Sequence, residues 1–143
     1  MQWRALTDDE MRSLPEARLG GALLWMIVAA GALSIVTLAG TLLDFARLQS
    51  VGARYMLAVV FLAAWSAAFI FMTMARVRST PTWTSAALLA WIAYRAGAAL
   101  LTGAGWPLLV DLLGEAVLAA GFCGYMAGGR RPNAYYRRRL PTD

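Results

Sequence analysis

Of the 143 residues, 60% are hydrophobic and only 15% charged, where a soluble domain of this size carries about a quarter charged residues. So little polar surface cannot clothe a water-soluble globule, so the apolar side chains must face lipid. The net charge of +5 comes from 13 arginines and no lysine, most of them flanking apolar runs as topogenic charge does, which leaves no soluble basic face for nucleic acid.

The chain opens on a polar head, residues 1–18. Within it Thr7-Asp8-Asp9-Glu10 fits a capping box, in which the threonine side chain and the glutamate each satisfy a free backbone N–H at a helix start. A short helix follows and stops near Pro15. Trp3, Leu6, Met11 and Leu14 either lay this helix on the membrane surface or belong to an ordinary capped turn.

The first apolar run spans residues 19–43 and ends at Asp44. About 25 residues at 1.5 Å each reach roughly 37 Å, enough for a 30 Å hydrocarbon core with some tilt. A signal peptide has a shorter apolar region, so the run reads as a retained span. Arg54 opens the second span, 55–75, which closes on Arg76 and Arg78. Pro81 and Trp83 introduce the third, 83–102. Gly103-Ala104-Gly105 makes a tight turn, and Trp106-Pro107 starts the fourth, 106–127, with proline at a helix position where its missing N–H costs nothing. Gly128-Gly129 ends that helix, and a basic tail occupies 129–143. The expected architecture is all-α: an integral membrane four-helix bundle of two antiparallel transmembrane hairpins, with a short N-terminal interfacial helix and a basic C-terminal tail. No sequence repeat relates the halves, so an inverted-repeat transporter is not supported.

Arginine placement orients the spans. Arg4, Arg12, Arg18, Arg76, Arg78 and the five tail arginines share one side; Arg47 and Arg54 lie on the other. The positive-inside rule then expects both termini in the cytoplasm, in a bacterial inner membrane. Trp3, Trp25, Trp83, Trp106 and Tyr55 fall near the expected interfaces, whereas Trp65 and Trp91 sit mid-span and should pack between helices.

With no histidine and a single cysteine, Cys123, the chain lacks the usual haem and zinc ligands and the base of a nucleophilic triad. An intrachain disulfide is impossible, and Cys123 reads as a small packing residue. No catalytic residue, cofactor or metal is expected.

The informative ionisable residues are Arg95, Asp111 and Glu115, because charge within a span is costly and rarely incidental. Arg95 and Glu115 are nearly equidistant from the glycine turn, so antiparallel helices bring them to similar depth. Asp111 lies one turn from Glu115 at i, i+4, so one guanidinium could bridge both acids. The cluster reads as a structural clamp, as a polar cavity for a proton or substrate, or as faces buried against a partner protein.

Ser34, Thr37, Thr41 and Asp44 form a polar stripe on the first span, either lining such a cavity or bonding their own backbone. Gly114, Gly121 and Gly128 recur every seven residues, and Gly124 with Gly128 makes a GxxxG pair suited to close helix approach. In the tail, Arg130, Arg131, Arg137, Arg138 and Arg139 would contact anionic lipid headgroups or an acidic partner, each contributing about 1 kcal/mol near a charged leaflet.

Leu19-Gly20-Gly21-Ala22-Leu23 resembles the entrance to the first span in the YdgK-like family of small bacterial inner-membrane proteins. Tyr125-Met126, Arg130-Arg131-Pro132 and Tyr135-Tyr136 are similar to that family's closing pattern of tyrosine, basic pair and aromatic. The proline after the basic pair and the long arginine run depart from it. The resemblance implies a location and a four-span topology, without an activity.

The functional expectation is a non-enzymatic accessory or assembly subunit of a larger membrane complex, with other membrane subunits or further copies of itself as partners. The alternatives are a small oligomeric transporter using Asp111 and Glu115 as coupling residues, or a lipid- or quinone-binding module.

Overall fold

The computed structural model describes residues 2–43, 53–103 and 105–142, with the backbone alone described at 53–55. Asp44, Arg47 and Ala104 lie outside the described residues, and Arg54 and Tyr55 enter only through their backbone. In chain order the elements are β1 (Trp3–Ala5), α1 (Asp8–Ser13), a 3-10 turn (Pro15–Ala17), α2 (Gly21–Leu43), α3 (Ala53–Met74), α4 (Thr80–Thr102), α5 (Trp106–Gly128), α6 (Arg130–Arg137) and β2 (Arg139–Pro141).

Four helices are long and apolar enough to cross a membrane, and none of their most apolar stretches is more than 22% buried within the protein. Helices apolar on nearly every side and exposed on most of them need lipid or other protein as solvent. The chain is a multi-pass helical membrane protein. The four long helices begin and end within three residues of the expected bounds at each described end. The largest difference is at the third, which begins at Thr80, so that Pro81 falls in its first turn and Trp83 stands inside the helix.

Two compact units are present. The unit Arg18–Val77 is a hairpin in which α2 packs on α3. Leu23 and Ala30 are buried on one helix, Val59, Ser66, Phe69 and Thr73 on the other. Trp65 stacks on Phe69 of its own helix with ring centroids 5.6 Å apart. α3 ends in a Schellman motif: the Val77 N–H donates to Met72 O at 2.9 Å and the Arg76 N–H to Thr73 O at 3.0 Å. Arg76 takes the left-handed conformation there, with φ 51°, where glycine is the usual residue.

The other unit joins Met1–Ala17 to Arg78–Asp143. Its long elements are α4 and α5, which pack as a hairpin. The turn between them is shaped by Gly103, left-handed at φ 65°, whose N–H caps α4 by donating to Ala99 O. Gly105 caps α5, accepting the Leu108 N–H at 3.1 Å.

The segment expected as a basic tail is instead folded onto the head. β1 and β2 pair antiparallel, with Trp3 opposite Pro141 and Ala5 opposite Arg139. The Leu6 N–H donates to Arg138 O at 2.8 Å and the Thr142 N–H to Gln2 O at 2.9 Å, extending the ladder. α6 packs on α5, α4 and the 3-10 turn, burying Pro132, Asn133, Ala134, Tyr135 and Tyr136. Because β1 and β2 are hydrogen-bonded neighbours, the two ends of the described chain lie side by side.

The capping box of α1 is present as expected: Glu10 N–H donates to Thr7 Oγ1 at 3.3 Å, and Thr7 N–H to Glu10 Oε2 at 3.0 Å. Trp3, Leu6, Met11 and Leu14 are half-buried in this cap. The Arg4 guanidinium, hydrogen-bonded and paired to Glu10 at 2.8 Å, together with the Thr7 amide lowers the Glu10 carboxyl from 4.5 to about 2. A depressed folded pKa means that this contribution is complete above the ordinary carboxylate value and is lost as pH falls towards about 2. The Thr7 amide resonance should therefore titrate in that window, and in Glu10→Gln it should not.

Gly129 separates α5 from α6, ending one and capping the other. A Cβ there would stand 2.5 Å from Tyr125 O and 3.0 Å from Pro132 Cδ. Gly129→Ala should cost about 1–3 kcal/mol in thermal unfolding, since backbone must move to admit the methyl group. Gly114→Ala, where nothing lies within 4 Å of the added atom, should instead stabilise by up to about 0.8–1.0 kcal/mol, the propensity difference in a helix interior.

Candidate functional site

The α4–α5 hairpin carries the charged residues of the spans. Both helices withdraw from the Gly103–Gly105 turn at 1.5 Å per residue, so Arg95 and Glu115 arrive at nearly equal depth. They form an ion pair, Arg95 Nη2 to Glu115 Oε1, at 3.1 Å. The side chains are 25% and 35% exposed respectively, so the pair lies at the seam of the hairpin.

Asp111 does not join them. It is exposed, and none of the described ion pairs includes it. Helical side chains lean towards the N-terminus of their own helix. For Arg95 that direction leads away from the turn, and its guanidinium carbon lies 5.9 Å from the centroid of Trp91, one turn deeper. Asp111 is one turn the other way, nearer the Gly103–Gly105 turn. The cation–π contact and the lean together draw the guanidinium from Asp111 towards Glu115 and Trp91. The expected three-residue cluster is therefore an Arg95–Glu115 pair with an outlying Asp111. The Trp91 and Tyr94 rings of the same helix lie 5.6 Å apart and tilted by 34°, so the described ring contacts of Trp91 run along α4.

One atom of the pair is not satisfied. Glu115 Oε2 is buried and accepts no hydrogen bond, a property shared among the described residues by Ser66 Oγ in the other unit. A buried acceptor without a donor costs about 1–3 kcal/mol, and more when it carries charge.

The polar stripe of α2 is turned on itself. Thr37 Oγ1 donates to Leu33 O at 2.6 Å and Thr41 Oγ1 to Thr37 O at 2.7 Å. Ser34 is half-buried. This is the backbone-bonded arrangement that such residues adopt in apolar helices.

The glycines of α5 are not used inside the hairpin. Gly114, Gly121, Gly124 and Gly128 are all exposed, and a Cβ at any of them would meet nothing within 4 Å. The buried residues of α5 are instead Ala119 and Met126, and towards α4 Cys123 Sγ lies 3.9 Å from Ser85 O as a weak donor.

The arginines of the former tail are largely engaged within the cap. Arg131 donates to Pro15 O at 2.9 Å. Arg137 and the Arg139 Nε both donate to Asn133 Oδ1 at 3.1 Å. Arg139 also stacks over Trp3 at 4.8 Å, and Arg138 approaches Asp8 at 3.6 Å. Burial, and then the neighbouring Arg139 charge, pull the Arg137 pKa down. Arg130 and Arg138 are exposed.

The residue that sequence reasoning passed over is Asn133. It is fully buried, and its amide nitrogen donates to Ala127 O at 3.0 Å and Gly129 O at 2.9 Å. It thereby holds the end of α5, the start of α6 and two guanidinium groups together. The one local signal was Pro132, suited to the first turn of a helix.

The chain is thus a helical membrane protein with a clasped, arginine-rich end and an ion-paired hairpin. No protein-family model, curated protein or solved structure matches it.

Proposed function

We propose that this chain is a non-enzymatic accessory or assembly subunit of a larger bacterial inner-membrane complex. The observation that carries the reading is the outward face of α5, where Gly114, Gly121 and Gly128 are exposed and bounded by open space. In lipid no hydrophobic effect draws helices together, and close backbone approach at small residues supplies the van der Waals contact that does. Glycine costs about 0.8–1.0 kcal/mol relative to alanine in a helix interior. A face bearing several of them that the chain's own α4 does not use suits a neighbouring helix better than lipid.

The orientation proposed with it places both termini in the cytoplasm. Arginine placement supports this. The exposed Arg130 and Arg138 then lie at the leaflet where anionic headgroups concentrate, and contact with those lipids is part of the same proposal.

The test is gentle extraction of the chromosomally tagged protein into lipid nanodiscs, followed by mass measurement of the intact particle. A stoichiometric second membrane protein is the expected result. A lone monomer with nothing copurifying would overturn the reading.

A further inference from the structure

The membrane-embedded part of the α4–α5 hairpin holds two carboxylates, Asp111 and Glu115, against one guanidinium, Arg95. That guanidinium is committed to Glu115 Oε1 and to the face of Trp91. Asp111 is exposed and outside the described ion pairs, and Glu115 Oε2 is buried without a donor. Two acidic side chains therefore stand within one turn of a single basic one, and Asp111 is the acid outside the described ion pairs. Acidic residues within spans normally pair with a basic or hydrogen-bonding group, because hydrocarbon offers neither.

Asp111 adjoins the glycine ridge. Residues seven apart drift by only about 20° around a helix, so Gly114, Gly121 and Gly128 form one continuous line. Asp111 lies three residues before Gly114, one turn towards the Gly103–Gly105 end on a neighbouring row. A helix packed closely along the glycines would bring its own side chains within reach of that carboxylate.

From this charge imbalance beside an open close-approach face, we infer that α5 docks a transmembrane helix of another protein carrying an arginine or lysine, whose cation pairs with Asp111 in the half of the membrane nearer the Gly103–Gly105 turn. The inference rests on the subunit reading and adds the chemistry of the partner. A second copy of this chain fits the face poorly. Copies inserted with the same topology have parallel α5 helices, so a two-fold contact along the ridge sets Asp111 against Asp111. The intramembrane cation of each copy's own hairpin is already paired with Glu115.

The inference can be tested with the whole chain in phosphatidylcholine vesicles and a series of tryptophan-free, dansyl-labelled leucine–alanine transmembrane peptides. Energy transfer from the protein's tryptophans reads association. A peptide with one arginine in the span should bind about three- to tenfold more tightly than the all-apolar peptide, the range of interhelical polar contacts in membranes. A peptide with glutamate at the same position should gain nothing. In Asp111→Asn, an exposed and isosteric change, the preference for arginine should disappear.

Equal binding of the arginine and apolar peptides would overturn the inference, as would a preference that survives in Asp111→Asn. Self-association of the chain that the arginine peptide cannot displace would also overturn it, in favour of a second copy. The two proposals fail separately. A native partner that copurifies equally with wild type and Asp111→Asn leaves the subunit reading standing and removes this one. A correct peptide ranking with no native partner does the reverse.

Discussion

Replacing Glu115 with leucine should destabilise the α4–α5 hairpin by about 2–3 kcal/mol, and replacing Arg95 with leucine in the same chain should restore most of the loss. The asymmetry comes from what each change leaves behind. Glu115→Leu strands a guanidinium in the span, where an unpaired charge costs roughly 2.5–3.5 kcal/mol near the membrane centre. Arg95 is 25% exposed and long enough to reach towards the interface, so the lower end of that range applies. The double substitution removes both charges together with the unsatisfied Glu115 Oε2, and adds two apolar side chains at a seam facing lipid. Unfolding in mixed micelles, titrated with sodium dodecyl sulfate, measures all three variants. If the double variant were as unstable as the two single losses added together, the pair would not be coupled.

The second large effect lies in the cap. Asn133→Ala should destabilise the cap by about 3 kcal/mol and abolish protection of the head. Its side chain makes four hydrogen bonds at a fully buried position. Truncation leaves two carbonyls and two guanidinium groups short of a partner at once. Asn133→Asp is the sharper control. It preserves size and the acceptor for Arg137 and Arg139, but sets an oxygen against the carbonyls of Ala127 and Gly129. Both variants should expose residues 2–17 and 130–142 to protease and to amide exchange, while α4 and α5 keep their protection. Uniform protection across the cap would show that Asn133 does not organise it.

The spans were legible because a bilayer imposes a length and a composition on each helix, and both are local properties of sequence. Proline and glycine at Pro107, Gly103 and Gly129 marked the breaks for equally local reasons. The depth match of Arg95 and Glu115 followed from counting residues away from a turn. Asp111 could not be placed by the same count, because i, i+4 spacing defines a row on its own helix and not the side from which α4 approaches. The lean of Arg95 onto Trp91 decided that.

The glycine ridge was readable as a ridge. Whether α4 used it was not, since α5 carries small residues on other faces too, and the residues it buries are Ala119 and Met126. The cap was the least legible part. Arg130–Arg137 reads as a polar basic stretch, and its buried face appears only with the head folded against it, more than a hundred residues earlier in the chain. A contact so distant in sequence leaves almost no local trace.

The pairing of β1 with β2 also sets an order of events during synthesis. Trp3 emerges first and its partner Pro141 only after all four apolar helices have left the ribosome. The head must wait, unpaired, until the fourth span is inserted and the chain has returned to the side on which it began. A molecule that loses one span, or leaves one uninserted, ends on the opposite side and cannot close the strand pair. The clasp therefore registers the parity of membrane crossings, and an open, protease-sensitive head distinguishes a wrongly threaded molecule from a finished one.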